Sequence, residues 1–423
     1  MQKNRIINFT EGNLKRELIT FSIPLFLGNL FQQLYNAADS LIVGNTLGAE
    51  ALASVSSSGP LIFMMTGFFQ GVATGAGVVI GKYIGSGDKA KVEKAIHTDL
   101  AFGLSAGLLL TLFGVAFTPS ILSLMKTPEN IMAGSVTYFR IFSMGILFCL
   151  MYNITMGIMN ATGDSTHPLE YLIISSITNI ILDIFFITVL HTGVGGAAAA
   201  TTIGQGLSFF LCLRRLLRSR EIYRVELKKI SFDLPILKEI IKYGLPSGVQ
   251  NSVIAIANLV VQTNINTFSS TAVAGSGAYS KIEGFAFIPI NAFAMGLSTS
   301  VSQNLGARDY KRAKEAARFG ILVCITLSET IGILFYLFAP YAIGLFNQDP
   351  EVIAYGVRQA HTEALFYCFL ALSHSIAGVM RGAGKAIVPM CVMLGVWCIF
   401  RVSYITVALS ISHTVTLVYW AYP

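Results

Sequence analysis

Long apolar stretches alternate with short polar segments along almost the whole chain. A helix of about 20 apolar residues is long enough to cross a hydrocarbon core of roughly 30 Å. The pattern predicts eleven membrane spans, at residues 18–43, 51–81, 95–117, 136–160, 169–190, 194–217, 239–267, 272–303, 316–338, 358–380 and 386–410. The expected fold is all-α, because a helix bonds its own backbone polar groups within one segment, as lipid requires.

Composition excludes an ordinary soluble protein. Hydrophobic residues make up 54% of the 423, charged residues only 12%, and the mean hydropathy is +0.66. Residues 1–17 are polar, and the apolar segment that follows is too long for a cleaved secretory signal. The N-terminus is therefore expected to remain in the cytoplasm.

The basic residues indicate membrane topology rather than nucleic-acid binding. Of the 29 Lys and Arg residues, 24 lie in the N-terminal segment and in the even-numbered connections between spans, whereas the odd-numbered connections contain only Lys126. Basic loops remain preferentially on the cytoplasmic side of a membrane. We expect a multi-pass protein of the cell membrane with these connections in the cytoplasm, and no nucleic-acid partner.

An internal repeat relates the two halves of the chain. The sequence matches itself at an offset of 221–222 residues; for example, "GSGDKAKVEKA" at 85–95 corresponds to "GARDYKRAKEA" at 306–316. Because each unit has an even number of spans, the copies are expected to have the same orientation, as parallel repeats of transporters do. Two six-helix bundles would then enclose a central cavity and rock against each other, although duplication without transport is the alternative.

The repeat also predicts the domain boundaries. We expect an N-lobe at 1–217 with spans 1–6, a cytoplasmic linker at 218–238, and a C-lobe at 239–423. Span 6 corresponds to residues 415–438, so a twelfth span is expected to begin in this chain and to be incomplete at Pro423.

Polar residues form stripes on two spans of the first half. In span 1 they recur at three- and four-residue steps and so form a stripe down one helix face, at Asn29, Gln32, Gln33, Asn36, Asp39 and Ser40. In span 5, Ser175, Asn179 and Asp183 recur every four residues and so share one helix face. Ionisable groups within a membrane are costly and are candidates for function. A pair of carboxyl groups with nearby amides predicts binding of H⁺ or Na⁺.

The second half lacks these stripes but has charges of its own. Asp39 corresponds to Val261 and Asp183 to Tyr404, so the predicted ion site lies in the first half only. These charges lie within spans 8 to 11 and are candidates for substrate or ion handling, with structural ion pairing as the alternative: Lys281, Glu283, Glu329, Glu363 and Arg401.

Two glycine and proline features have structural interpretations. Pro24 lies early in span 1 and predicts either a hinge or a permanent kink, because proline removes a helical hydrogen bond. The stretch "GVATGAGVVIG" at 71–81 predicts close helix packing. The chain has no phosphate-binding glycine loop, serine-elbow motif or His/Glu metal motif, so we expect no enzyme activity, cofactor or resident metal.

These features together resemble the multidrug and toxic compound extrusion (MATE) family. The resemblance consists of the two six-span repeats, Pro24 and Asp39 in span 1, Asn179 and Asp183 in span 5, and "GAAAATTIGQ" at 196–205. It implies a cation-coupled antiporter that exports small drug-like compounds, often cationic and aromatic, by alternating access. A monomer in the lipid bilayer is expected.

The resemblance also implies roles for particular residues. Asp39, Asn179, Asp183 and Thr201 match the ion-binding network of the DinF-like branch, although Thr202 adjoins Thr201. Asn29, Gln33, Asn36, Lys281, Glu283 and Glu363 are the candidates for lining the substrate cavity, and Pro24 is the candidate hinge.

Several alternatives remain open on the sequence. The branch thought to use Na⁺ in its C-lobe has acids in spans 7 and 10, whereas span 7 here has none beyond Glu239 at its edge. Proton coupling is therefore the first expectation, with Na⁺ at Asp39, Asn179 and Asp183 as the alternative. A lipid-linked oligosaccharide flippase would need a cavity rich in Arg and Lys, and a polytopic membrane enzyme would need convergent catalytic groups.

Overall fold

Eleven long helical segments correspond to the predicted spans, although predicted spans 5 and 7 extend one and two residues past their helices and predicted span 11 begins one residue before its helix. The computed structural model describes residues 6–219 and 221–423, so Lys3, Arg5 and Arg220, which were counted with the basic loops, lie outside the described residues. In chain order the spans are Leu14–Leu47; Ala49–Ser57 with Gly59–Gly85; Lys89–Leu124; Glu129–Met144 with Ile146–Ala161; Thr166–Ile184 with the π-helix Phe185–Val189; Val194–Arg218; Leu234–Ile265; Ser270–Gly306; Tyr310–Gly344; Pro350–Glu363 with the 3₁₀ turn Ala364–Phe366 and Tyr367–Gly382; and Ile387–Met393 with the π-helix Leu394–Phe400 and Arg401–Ile411.

These helices confirm an all-α membrane protein of two repeated halves. Nine helices of the described residues are long and apolar enough to cross a membrane, and the two helices of span 4, bent by 46°, make a tenth span together. Span 1 is equally long, but the amides on its polar face lower its mean hydropathy. Short helices also form at Leu227–Lys229 and at Val415–Tyr419, where the repeat places the start of span 12.

Most helices extend beyond the predicted apolar stretches, and capping residues stabilise several of their ends. Asp88 accepts a hydrogen bond from the Lys91 backbone N–H at 3.1 Å, at the start of span 3. Its repeat counterpart Asp309 accepts one from the Arg312 N–H at 2.9 Å, at the start of span 9. An acidic N-cap satisfies a free helical donor and complements the helix dipole. The two halves therefore begin these helices in the same way.

Besides the break at Ser58 in span 2, spans 4 and 10 contain breaks that hydropathy does not predict. Span 4 bends at Gly145, between its two helices. Span 10 is interrupted at Ala364–Phe366, and there the Cys368 N–H donates to Glu329 Oε2 of span 9 at 3.0 Å. Glu329 thus satisfies a free donor where the second helix of span 10 begins. This bond gives one intramembrane carboxylate a structural role.

The outer surface of the bundle is apolar. Leu109 and Leu112 on span 3 and Leu337 on span 9 are each more than 60% exposed. The largest cluster of buried apolar side chains lies inside the first half and extends to the start of span 7. Apolar residues both inside and outside are the arrangement that a lipid solvent favours.

Glycines allow the two halves to approach closely. A Cβ added to Gly75 of span 2 would lie 2.2 Å from the Gly244 Cα of span 7, and one added to Gly71 would lie 2.5 Å from the Gly248 nitrogen. Only residues without side chains permit backbones so close together. This contact confirms the packing role predicted for the glycine-rich stretch.

Further contacts hold the halves together at the end that carries the basic loops, here called the basic end. The Phe9 N–H donates to Gln303 Oε1 at 3.1 Å, and Gln303 Nε2 donates to the Ala161 carbonyl oxygen at 2.8 Å. Arg312 Nε donates to the Phe9 carbonyl oxygen at 2.7 Å, and the Tyr83 hydroxyl donates to Glu239 at 2.8 Å. The basic end is therefore closed by bonds that join residues of both halves.

Candidate functional site

Two carboxyl groups of the first half come together between spans 1 and 5. Asp183 is fully buried and Asp39 is half-buried, and the two groups lie within hydrogen-bonding range of each other. Among the described residues, Asp39 Oδ1 and both carboxyl oxygens of Asp183 have no hydrogen-bond donor. Two ionised carboxylates in contact repel each other. A shared proton or a bound cation would remove this repulsion.

Local structure places these acids opposite each other. Spans 1 and 5 are in ordinary van der Waals contact at Gly28, where an added Cβ would lie 3.7 Å from a Leu172 methyl carbon. Asp183 lies in the last turn of the helix Thr166–Ile184, directly before the π-helix Phe185–Val189. Single wide turns of this kind occur often at functional sites.

Asn179 and Thr201 extend the site towards span 6. Both line a small pocket together with Gly204 and Gln205, and Asn179 is buried with neither side-chain atom hydrogen-bonded to a described residue. The Thr202 hydroxyl instead donates to the Ile141 carbonyl oxygen of span 4 at 3.4 Å. Thr201, rather than Thr202, therefore shares a pocket with Asn179.

The polar stripe of span 1 points in more than one direction. Asn29 is half-buried, whereas Gln33 and Asn36 are exposed. A Cβ added to Gly284 of span 8 would lie 3.7 Å from Gln33 Nε2, so Gln33 faces the second half. Thus Asp39 turns into the first half, while its stripe neighbour Gln33 turns towards the other.

The charged candidates of the second half separate into two environments. Lys281 is exposed, with its Nζ 5.5 Å from the centre of the Phe346 ring. Glu363 is buried and accepts a hydrogen bond from Gln359 Nε2 at 2.9 Å, and Glu283 lies close enough to interact with it electrostatically. Lys281 and Glu283, which are two residues apart, therefore do not form one site.

The cation beside these acids is Arg401, whose partners the sequence did not show. Arg401 of span 11 interacts electrostatically with Glu283 and Glu363, is 5% exposed, and donates from Nη1 to Asn258 Oδ1 of span 7 at 3.0 Å. Its guanidinium carbon lies 4.1 Å from the centre of the Tyr422 ring. Asn258 is the repeat counterpart of Asn36, which could have suggested a polar contact between the first and fifth spans of the second half. No sequence pattern assigned Arg401 to it.

Pro24, the candidate hinge, lies within the unbroken helix Leu14–Leu47. It is half-buried and close to the basic end. The acid pair lies about four helical turns further along the same helix, at 3.6 residues per turn. A change of bend at Pro24 would therefore move Asp39.

Comparison with known proteins shows a clear relationship. The family model described as MatE matches residues 24–185 and 246–407, and the two matches begin 222 residues apart, which is the repeat offset. A probable multidrug resistance protein YpnP of Bacillus subtilis is 29% identical over 388 residues, covering 89% of this chain and 84% of the relative. A second protein of that organism, the probable multidrug resistance protein YoeA, is 28% identical over 408 residues, covering 94% and 87%.

The fold also matches solved structures. A multidrug resistance MATE family transporter, described in an outward-facing conformation, superposes with a TM-score of 0.92 at 22% sequence identity. The match covers 100% of this chain and 94% of the other. At this identity the likeness establishes the fold.

Proposed function

This chain belongs to the MatE family of multi-pass membrane transporters, and we propose that it exports small organic compounds across the cell membrane in exchange for protons. The observation that carries the proposal is the contact between Asp39 and Asp183. The two proposed lobes, residues 1–217 and 239–423, would move against each other around a substrate that binds between them. The curated relatives, named as multidrug resistance proteins, support drug-like substrates.

The acid pair is suited to alternate between two charge states. A single proton shared between the two carboxyl groups converts a repulsion of two acceptors into a hydrogen bond. When the proton leaves, the charge of the pair changes from −1 to −2, and the two carboxylates push spans 1 and 5 apart or attract another cation. Proton binding is therefore linked to the packing of these two helices.

The closed basic end supports a direction for the cycle. The positive-inside rule places this end in the cytoplasm. With the cytoplasmic end closed, the protein would release its compound outside and take up protons there. Opening of the contacts around Gln303 would then admit the next compound and release the protons inside. The proton gradient would drive the cycle.

Reconstituted transport tests this proposal. Liposomes that contain the purified protein are loaded with ethidium. The movement of ethidium across the membrane is followed by fluorescence under an imposed pH gradient or, separately, an imposed Na⁺ gradient. The variants are Asp39→Asn and Asp183→Asn, with Asp99→Asn as the matched control. Asp99 is also a buried carboxyl group without a hydrogen-bond partner for its Oδ1 among the described residues, but it lies in span 3.

The expected result is ethidium transport driven by the pH gradient in the wild type and in Asp99→Asn. Both variants of the acid pair should lose this drive, because an amide cannot bind and release a proton at these pH values. Unchanged transport in both variants would overturn the role of the pair. Transport driven by Na⁺ alone would keep the pair but replace the proton as the coupling ion.

A further inference from the structure

A second pocket lies where the two halves meet, next to the closed basic end. Side chains of spans 2 and 4 in the first half and of span 8 in the second half form its walls; among the lining residues are Gln70, Ala73, Met156, Asn160, Met295 and Ser298. The Ala161 carbonyl, which accepts the hydrogen bond from Gln303, directly follows Asn160. The pocket is therefore adjacent to a bond that joins the halves.

The Asn160 amide is the distinctive group in this pocket. Asn160 is 1% exposed, yet neither its Oδ1 nor its Nδ2 has a hydrogen-bond partner among the described residues. Ser298, on the opposite wall, is 2% exposed, and its Oγ also has no such partner. A buried polar group without a partner costs about 1–3 kcal/mol. A ligand that satisfies these atoms would recover that energy.

The chemistry of the walls restricts the ligand. A carboxamide presents a donor and an acceptor side by side, so its complement is a group with an N–H next to a C=O, as in a lactam or an imide. The lining side chains are all uncharged, so an ionised group would be desolvated there without a counterion. Met156 and Met295 offer flexible apolar walls that suit a planar ring.

We propose that this pocket is a subsite for uncharged planar compounds with a lactam or imide edge, which Asn160 recognises by a pair of hydrogen bonds. The inference rests on the proposed export function and specifies one class of its substrates. Walls from both halves mean that the ligand bridges spans 4 and 8. The lactam or imide edge of the ligand then lies beside the hydrogen bond from Gln303 to the Ala161 carbonyl, and the rest of the ring extends into the space between the halves.

Direct binding tests this inference without transport. Lumiflavin is a fluorescent planar probe whose N3–H lies between two carbonyl groups, and 3-methyl-lumiflavin lacks only that donor. Fluorescence quenching gives the Kd of each for the purified protein. The variant is Asn160→Leu, which keeps the approximate size. Asn264→Leu is the matched control, because Asn264 Nδ2 donates to the Val260 carbonyl oxygen of its own helix.

The expected result is that 3-methyl-lumiflavin binds the wild type about tenfold more weakly than lumiflavin. Its methyl group removes the N3–H donor and sterically keeps the adjacent carbonyl away from the Asn160 amide, so both hydrogen bonds, worth about 1–3 kcal/mol together, are lost. Asn160→Leu should weaken lumiflavin binding by the same factor and leave 3-methyl-lumiflavin unchanged, whereas Asn264→Leu should behave as wild type. Equal binding of the two flavins by the wild type would overturn the inference, and this comparison holds even if Asn160→Leu fails to fold.

Ethidium transport separates this inference from the proposed function. Ethidium has no lactam edge, so its transport by the wild type tests the proposed export function without depending on recognition by the Asn160 amide. If the wild type transported no ethidium but discriminated between the flavins, the export proposal would fail and the subsite would stand. If the wild type transported ethidium and did not discriminate, only the subsite would fail.

Discussion

Substituting Gly75 by alanine should open the closed basic end. The added Cβ would lie 2.2 Å from the Gly244 Cα, whereas ordinary contacts of a Cβ begin near 3.4 Å. Spans 2 and 7 must therefore separate locally by about 1.2 Å, the difference between these distances. The obstacle is backbone, so no side chain can rotate away to relieve it.

The free-energy cost of this steric overlap sets the size of the expected shift in the equilibrium between closed and open arrangements. Overpacking a tight contact costs about 1–3 kcal/mol, which changes a two-state equilibrium by roughly 5- to 150-fold. The closed arrangement should lose population by that factor relative to any arrangement in which the helices are apart. Gly67→Ala is the matched control on the same helix, because its Cβ would lie 3.6 Å from the Asn251 Cβ, at an ordinary contact distance.

Spin labels on the basic loops can measure this shift. Ala90 and Lys311 are exposed, repeat-equivalent positions in the two halves, so cysteines introduced there in a cysteine-free background report the separation of the lobes. Pulsed electron paramagnetic resonance on Gly75→Ala should show a longer distance between the two spin labels, or a second population with a longer distance. An unchanged distance distribution in Gly75→Ala, or an equal shift in Gly67→Ala, would refute the steric reasoning.

Three further outcomes are expected. Pro24→Ala restores a helical hydrogen bond and should raise the melting temperature while slowing ethidium transport; unchanged transport would indicate a permanent kink. Arg401→Gln removes the charged hydrogen bond to Asn258 and the positive charge beside Glu363, and should cost about 1.5–3 kcal/mol, with partial recovery in the double variant that adds Glu363→Gln, both read from thermal unfolding. The Lys91 N–H holds the pKa of Asp88 below its usual range, so this cap is present at neutral pH and lost as the pH falls through the lowered pKa. Amide protection factors at the start of span 3, which correct for the intrinsic pH dependence of exchange, should therefore fall on acidification in the wild type, but not in Asp88→Asn, which caps without titrating.

Transverse contacts between helices explain why part of the site could not be predicted. Periodicity predicted that Asp39 shares a helix face with Gln33, but only the packing of three helices turns Asp39 towards Asp183 and Gln33 towards Gly284. A polar face of one helix can contact more than one neighbour, and the choice depends on helix rotation and crossing angle. Rotation is not encoded in hydropathy.

The buried groups of the second half illustrate the same limit. The presence of Arg401 within a span marked it as unusual, yet the sequence did not show that it bonds to Asn258 and lies beside Glu363. The Asn160 pocket was not predicted at all, because its walls come from spans 2, 4 and 8, far apart along the chain. Neither the burial of the Asn160 side chain nor its lack of hydrogen-bond partners among the described residues can be recognised from the neighbouring sequence.

The sequence by itself determined the all-α membrane fold, the number and approximate limits of the spans, the two-fold repeat and the family. These properties depend on the local length of apolar stretches and on the similarity of one segment to another, both of which can be read along the chain. The tertiary structure alone decided which polar groups meet, that Asp39 contacts Asp183, and that the basic end is closed. Those contacts depend on how helices rotate and cross, which is set by the packing of the whole bundle.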